Sequence, residues 1–443
     1  MSAQRLRGGL LLAVCLLPVF LSANFVWRFG VDVPFWDEWA LVPLLRALHD
    51  GQLSLAALLA QHNEHRLFFP RAVMLALAVL TRWNARAEMW FGWSLLCGMG
   101  LALFFQLRPA LGAGARSAWL FAPLPWIVFT LRQSENLIWG WQLQVFMTAL
   151  AALLSIACLE HEGRRWFFAA LCFAVVSSFS FASGLAVWPA GLLVVALGEL
   201  RSRTQRLRLG GWTLGGLTVV ALYLHGFHKP PGHPDTAFAL RHFVQAGQFF
   251  AAMLGASLAG PSDVMLAIAV GLIVIAVLAL VVIAATLGLA DLAQLRSGLA
   301  LGLFAACTCA MVTVGRVGFD EGERGIGLAL TSRYTTFTLL GVCGAYSCVL
   351  AIRTPALRSG LLGALLALVT IGTTLSLSTE FRSGARTRRT RLAARQALLH
   401  YREASPTELM TLYPDPAAVR EWAREIESLG TSVFRDSVRD SLH

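Results

Sequence analysis

Long apolar runs decide what this chain can become. They recur at about residues 8–27, 67–80, 90–107, 118–131, 143–159, 166–180, 185–198, 209–224, 264–290, 297–314, 335–352 and 359–378. Most are long enough to cross, or nearly cross, a hydrocarbon layer about 30 Å thick. Hydrophobic residues make up 57% of the chain and charged residues only 14%, and the mean hydropathy is +0.64. A water-soluble domain cannot hide that much apolar surface. The expectation is an all-α, polytopic membrane bundle of about eleven to thirteen spans, because a helix satisfies its backbone polar groups without water. The first run follows Arg5 and Arg7 in the manner of a signal peptide. It is too long for one, lacks a small-residue cleavage site and precedes many further spans, so it reads as a retained anchor.

The formal net charge is +11, from 36 Lys and Arg against 25 Asp and Glu. Such an excess can mark a nucleic-acid partner, but these arginines recur in short blocks between spans, which is the pattern of cytoplasmic loops. No nucleic acid is expected. Arg201, Arg203, Arg206 and Arg208 form the clearest internal loop, and counting outward from it puts Asp37, residues 62–66, Glu135, 225–242 and 316–333 on the opposite, external face. From an internal N-terminus the count closes only if one run fails to span. The candidate is 67–80, which is short and carries Pro70 and Arg71 near its start. The eight cysteines all fall inside apolar runs and read as small core residues.

Chemistry is concentrated between the first two runs, in the external loop 28–66. Phe35-Trp36-Asp37-Glu38-Trp39 and His62-Asn63-Glu64-His65-Arg66 place acids, imidazoles and an arginine there. Asp37 and Glu38 read as candidate catalytic carboxylates or as solvated loop charges, and Trp36 and Trp39 as interfacial anchors. Leucines at helical spacing over 41–48 and 53–59 predict two short amphipathic helices on the membrane surface. Residues 62–66 precede an apolar run directly, where polar groups are costly and usually functional. A divalent metal is the alternative, with His62 and His65 sharing one helical face near Glu64 or Asp37.

Further along, Glu135, Asn136, Trp139, Trp141 and Gln142 combine carboxylate, amide and aromatic groups, the composition of a sugar site. The loop at 225–263, with His225, His228, His233 and His242, is expected to be a lid or a carrier-docking element. After residue 378 the hydrophobicity ends. The expected division is a membrane domain over 1–378 and a small helical tail over 379–443. Ser405-Pro406-Thr407-Glu408 has the form of a capping box, and Asp415-Pro416 starts a helix. Span counting puts the tail outside, although Arg382, Arg386, Arg388, Arg389, Arg391 and Arg395 directly after a span favour the inside.

Taken together, these features resemble the C-type (GT-C) superfamily of membrane glycosyltransferases over residues 8 to about 378. The matching parts are an N-terminal helix, a large first external loop with the acidic pair Asp37-Glu38, and a second polar motif at Arg132-Gln133-Ser134-Glu135-Asn136. The Ser183-Gly184 turn, Trp188-Pro189 and a late Arg333-Tyr334 at the entrance to a span complete them. The resemblance implies transfer of a sugar from a polyprenyl-phosphate donor to a glycan, lipid or protein acceptor on the extracytoplasmic face of a bacterial inner membrane. Asp37 would be the general base, with Glu38 as its substitute. Arg333 would hold the phosphate, helped by Arg316, Arg324 and Arg66. His62, Asn63, Glu64, His65, Glu135, Asn136, Trp139, Gln142 and Tyr334 would line the substrate. No Asp-X-Asp motif occurs in the first loop, so the chain names no certain cofactor and a divalent metal stays open. A flippase of lipid-linked sugars and an O-antigen ligase or polymerase are the competing readings.

Overall fold

The computed structural model describes residues 3–111, 119–199, 201–319 and 323–435. Among the described residues seven helices are long and apolar enough to cross a membrane: Arg7–Phe29, Ala85–Arg108, Gly140–Glu160, Arg203–Leu224, Val264–Thr286, Leu292–Arg316 and Pro355–Leu399. The chain is an all-α integral membrane bundle. The count falls short of eleven to thirteen because the other runs form shorter helices, among them Phe68–Thr81 and Ala182–Ala196, the 15-residue Arg164–Ser178 and the 16-residue Thr335–Leu350. Every residue of Thr335–Leu350 is buried. A helix wrapped in protein need not match the lipid thickness, because its neighbours rather than lipid surround it. Gly140–Glu160, 83% buried where Arg203–Leu224 is only 22% buried, is the axis of the bundle.

Small residues let the helices approach closely. A Cβ on Gly271 would lie 1.9 Å from the Ala251 carbonyl oxygen, and one on Gly255 would lie 2.0 Å from that of Ala267. Glycine is therefore required at both positions, in the backbone-to-backbone manner of membrane helix pairs.

The run at 67–80 forms the 14-residue helix Phe68–Thr81, shorter than the seven candidate spans. At its start Arg71 donates through Nη1 to the carbonyls of Ala60 at 2.5 Å and Leu58 at 3.1 Å. Past its end, the Arg82 carbonyl accepts from the Ser432 amide of the C-terminal tail at 2.8 Å, and the Ala85 amide donates to Asp32 at 2.8 Å. Both ends are held by the first loop and the tail, which share one face.

That shared face follows from the last helix. Pro355–Leu399 has 45 residues, about 67 Å at 1.5 Å per residue, more than twice the hydrocarbon thickness. The end of hydrophobicity at 378 therefore falls inside a helix, and the division expected there is no structural break. The helix carries the tail back onto the first loop. Trp422 stacks on Trp39 at 5.8 Å with an interplanar angle of 19°, the Trp36 amide donates to the Leu412 carbonyl at 2.9 Å, and Arg435 pairs with Asp32. The Ser405–Glu408 capping box forms, and Asp415 caps the helix Pro416–Ser428. Both helices expected in the first loop are present, Val42–His49 and the short Leu55–Leu59, but Val42, Leu44 and Leu45 of the first are buried in the core beside Trp39. The tail covers the surface that the sequence pattern offers to lipid.

A cysteine at exposed Gln52 and one at exposed Glu421 should therefore react with a membrane-impermeant thiol reagent from the same side, and one at Thr204 only from the other. Gln52 and Glu421 reacting from opposite sides would overturn this arrangement.

Candidate functional site

Residues 61–66 fold as a hairpin, with strands Gln61–His62 and His65–Arg66 in the register Gln61↔Arg66 and His62↔His65. Its turn places Asn63, at a φ of 49°, in the left-handed region, which asparagine tolerates better than most residues. The two histidines are thus cross-strand partners rather than neighbours on a helix. His62 turns toward Asp37, with Nε2 3.7 Å from Oδ1, and packs edge-on against Trp141. His65 stacks on Phe181 at 3.7 Å and accepts from the Ala182 amide through Nδ1 at 3.3 Å. That bond leaves the proton on Nε2, which lies 3.6 Å from Glu64 Oε1. Glu64 is the hub: it also pairs with Arg316 and lies 3.9 Å from His233 Nε2.

Burial sets the proton affinities in this cluster. It pushes the His65 imidazole down to about 4, against the pull of Glu64. Burial alone would raise Glu64, but His65 and Arg316 outweigh it and hold the carboxyl below its usual range. His233 is lowered by burial and by Arg316. At neutral pH the hub is therefore an ionised Glu64 facing a neutral His65, with the Arg316 guanidinium beside it.

Glu38 points the other way, into the protein. It is 0% exposed, accepts from the Phe35 amide at 2.7 Å and accepts from the Trp141 amide at 3.0 Å. Burial pushes its carboxyl up to about 7. Its role is to fasten the first loop to the second motif, so it does not back up Asp37. Gly140 is needed beside it, because a Cβ there would sit 2.8 Å from Glu38 Oε1 and 2.5 Å from Glu88 Oε2.

Between the second motif, the 330–332 turn and the last helix lies a cavity of about 320 Å³ lined by Arg132, Ser134, Glu135, Ser332, Glu380, Ser383, Thr387 and Arg391, among others. Arg132 is committed: it donates to Glu380 Oε1 at 2.5 Å and to the carbonyls of Ala256 at 3.0 Å and Leu330 at 3.1 Å. Ser134 donates to the other Glu380 oxygen at 2.7 Å. Glu135 lies 3.5 Å from Arg333 and accepts from Ser332 at 3.2 Å. Arg391 differs. It is 6% exposed, stacks over the Phe35 ring at 4.0 Å, donates only to the Ile138 carbonyl at 3.4 Å and has no partner for Nε.

The expected site residues thus separate into two groups. Asp37, Glu64, Glu135, Arg316 and Arg333 remain half-buried and accessible. Burial would lower the Arg333 proton affinity, but Tyr334, Glu135 and Asp37 raise it, so Arg333 stays charged between the two motifs. The second group is built into the scaffold. Asn136 donates to the Arg333 carbonyl and to Thr336, Trp139 donates to the Phe35 carbonyl at 3.2 Å, and Gln142 and Tyr334 are buried. Arg66 is spent on the carbonyls of Leu59, Tyr223 and His225. Asp320 and Glu321, and the side chain of Arg324, lie outside the described residues. The loop at 225–263 docks on the hairpin, the His228 amide donating to Gln61 at 3.1 Å.

Among the described residues no group of three or more His, Cys, Asp or Glu is arranged to hold a metal ion. The metal alternative loses its geometric basis, since pairing across a hairpin, not a helical turn, relates His62 to His65. Sequence reasoning missed Glu380, Arg391 and His233. The available signal for Glu380 was a single carboxylate at the end of an apolar run; Arg391 was hidden in a basic stretch that reads as topology. No protein-family model matches the chain, and no curated protein matches it significantly.

Two outcomes are expected. Glu380→Ala strands Arg132 in a buried site and should cost about 3–5 kcal/mol, read as a lowered unfolding temperature in detergent. His65 gains its proton near 6.5 when unfolded but only near 4 when folded, so folding leaves a proton behind between those values. Its contribution is fully present above about 6.5 and is lost as pH falls toward 4. His65→Phe should lose less stability than the parent between pH 7.5 and 5; an unchanged difference would remove this assignment.

Proposed function

We propose that the chain is a membrane glycosyltransferase that moves a sugar from a polyprenyl-phosphate donor to an acceptor on the face carrying the first loop. The observation supporting it is the polar cavity of about 320 Å³ set in an apolar bundle, whose Arg391 stacks over Phe35, two residues from Asp37. Its size lies at the low end of small-molecule pockets, roughly 300–1,000 Å³. Its hydroxyls and carboxylates suit sugar hydroxyls, and Arg391 offers a guanidinium fork to phosphate oxygens. This moves the phosphate role from Arg333, already beside Glu135, to Arg391.

In the proposed reaction the acceptor oxygen attacks the anomeric carbon and its proton passes to Asp37, while His62 holds that carboxylate in place. The bond from the anomeric carbon to the phosphate oxygen breaks, and the electron pair leaves with polyprenyl phosphate. Arg391 stabilises the charge that develops there, and burial strengthens the effect. The polyprenyl tail stays in the bilayer, since each exposed CH₂ costs about 0.8 kcal/mol. A bacterial inner membrane with the site facing outward is the setting we infer.

Asp37→Asn should lower transfer of a radiolabelled sugar from its polyprenyl phosphate about 10²–10⁴-fold while donor binding persists. Arg391→Gln should weaken donor binding, as loss of a charge-assisted bond of about 1.5–3 kcal/mol. Near-normal turnover in Asp37→Asn, or no binding of any polyprenyl-linked sugar by the parent protein, would overturn the reading.

A further inference from the structure

The helix Pro355–Leu399 presents two opposite stripes. Each residue advances about 100° around a helix, so Glu380, Thr387 and Arg391 share the side that lines the cavity. Ile371, Leu375, Arg382, Arg386 and Arg389 gather within about 60° of one another on the other side. Ile371 is 53% exposed and Leu375 47% exposed, as lipid-facing residues of a span are. Arg382, Arg386 and Arg389 are exposed as well.

The arginines thus continue a lipid-facing stripe beyond the end of the apolar run. Arg382 stands about 10 Å above Leu375 along the axis, and Arg389 about 21 Å above it. The row begins at headgroup depth, just outside the hydrocarbon layer. None of the three is ion-paired with another described residue: Arg382 Nη2 donates to the Ser378 hydroxyl at 3.4 Å, and Arg389 Nε to the Ala385 carbonyl at 3.4 Å. The acid closest to the row on this helix, Glu380, faces away and is held by Arg132.

We propose that Arg382, Arg386 and Arg389 form a docking surface for anionic phospholipid headgroups of the leaflet on the first-loop face. The phosphate oxygens accept from the guanidinium forks, and the lipid's net negative charge supplies the balance that the protein itself does not. A zwitterionic headgroup has the same phosphate but carries its own cation, so charge discriminates between them. The contact fixes the depth of a helix whose opposite side carries Glu380 and Arg391. It does not depend on the proposed reaction.

The test uses the full chain in vesicles doped with photoactivatable phosphatidylglycerol or phosphatidylcholine, with cross-links mapped to peptides covering 379–395. Phosphatidylglycerol should label this segment at least about threefold more than phosphatidylcholine. R382Q/R386Q/R389Q should bring it down to the phosphatidylcholine level, whereas R382K/R386K/R389K should retain most of it. Equal labelling by the two lipids, or undiminished phosphatidylglycerol labelling in the glutamine variant, would overturn the proposal. Should the triple glutamine variant fail to fold, Arg386→Gln alone is read in the same way, with a partial loss expected.

Discussion

The buried ion pair between Arg132 and Glu380 holds the centre of the molecule together. The two side chains are 1% and 4% exposed, and at that depth neither charge is tolerable without the other. Arg132 also donates to Ala256 and Leu330, and Glu380 accepts from Ser134. One guanidinium therefore joins the second polar motif, the turn after Phe243–Gly255, the segment before Arg333 and the last helix. These elements come from widely separated parts of the chain, and the cavity exists where they meet.

Around that pair, the first loop and the tail form a roof. Glu38 fastens the loop to the backbone of Trp141, the stacked Trp39 and Trp422 join loop to tail, and Phe35 lies against Arg391. The same short segment that presents Asp37 thus also positions the arginine of the cavity. On the outer side of the roof, the Glu64 cluster binds the hairpin to His233 and Arg316, so the lid loop and a helix end are fixed by a single carboxylate.

Much of the outline was legible from sequence. The apolar runs marked the membrane helices, the run at 67–80 was legible as a short one, and the gathering of the polar loops on one face followed from the arginine blocks. The capping box at Ser405 and the helix at Pro416 were read from local chemistry, which does not need the rest of the fold. The site was legible only as a list of polar residues. Sequence adjacency could not show that Asp37 faces His62 while its neighbour Glu38 is sealed inside. Nor could it show that Arg66 and Asn136 are consumed by backbone and side-chain bonds.

What the sequence by itself determined is the class of solvent: a chain this apolar, with charges confined to short intervals, must place helices in lipid and its chemistry at their ends. Patterning carries that information because burial in hydrocarbon depends on each residue's own polarity. Only the tertiary structure decided which charges remain available, because availability depends on partners distant in sequence. Arg333 is engaged by Glu135, Arg316 by Glu64 and Arg132 by Glu380, whereas Arg391, one arginine in a run of them, is left facing the cavity because helical periodicity turns it away from its lipid-facing neighbours. Desolvation then makes the difference large between a guanidinium in a direct ion pair and one, like Arg391, held by a ring, a carbonyl and the longer-range pull of Glu38 and Glu135, and that difference is set by packing rather than by composition.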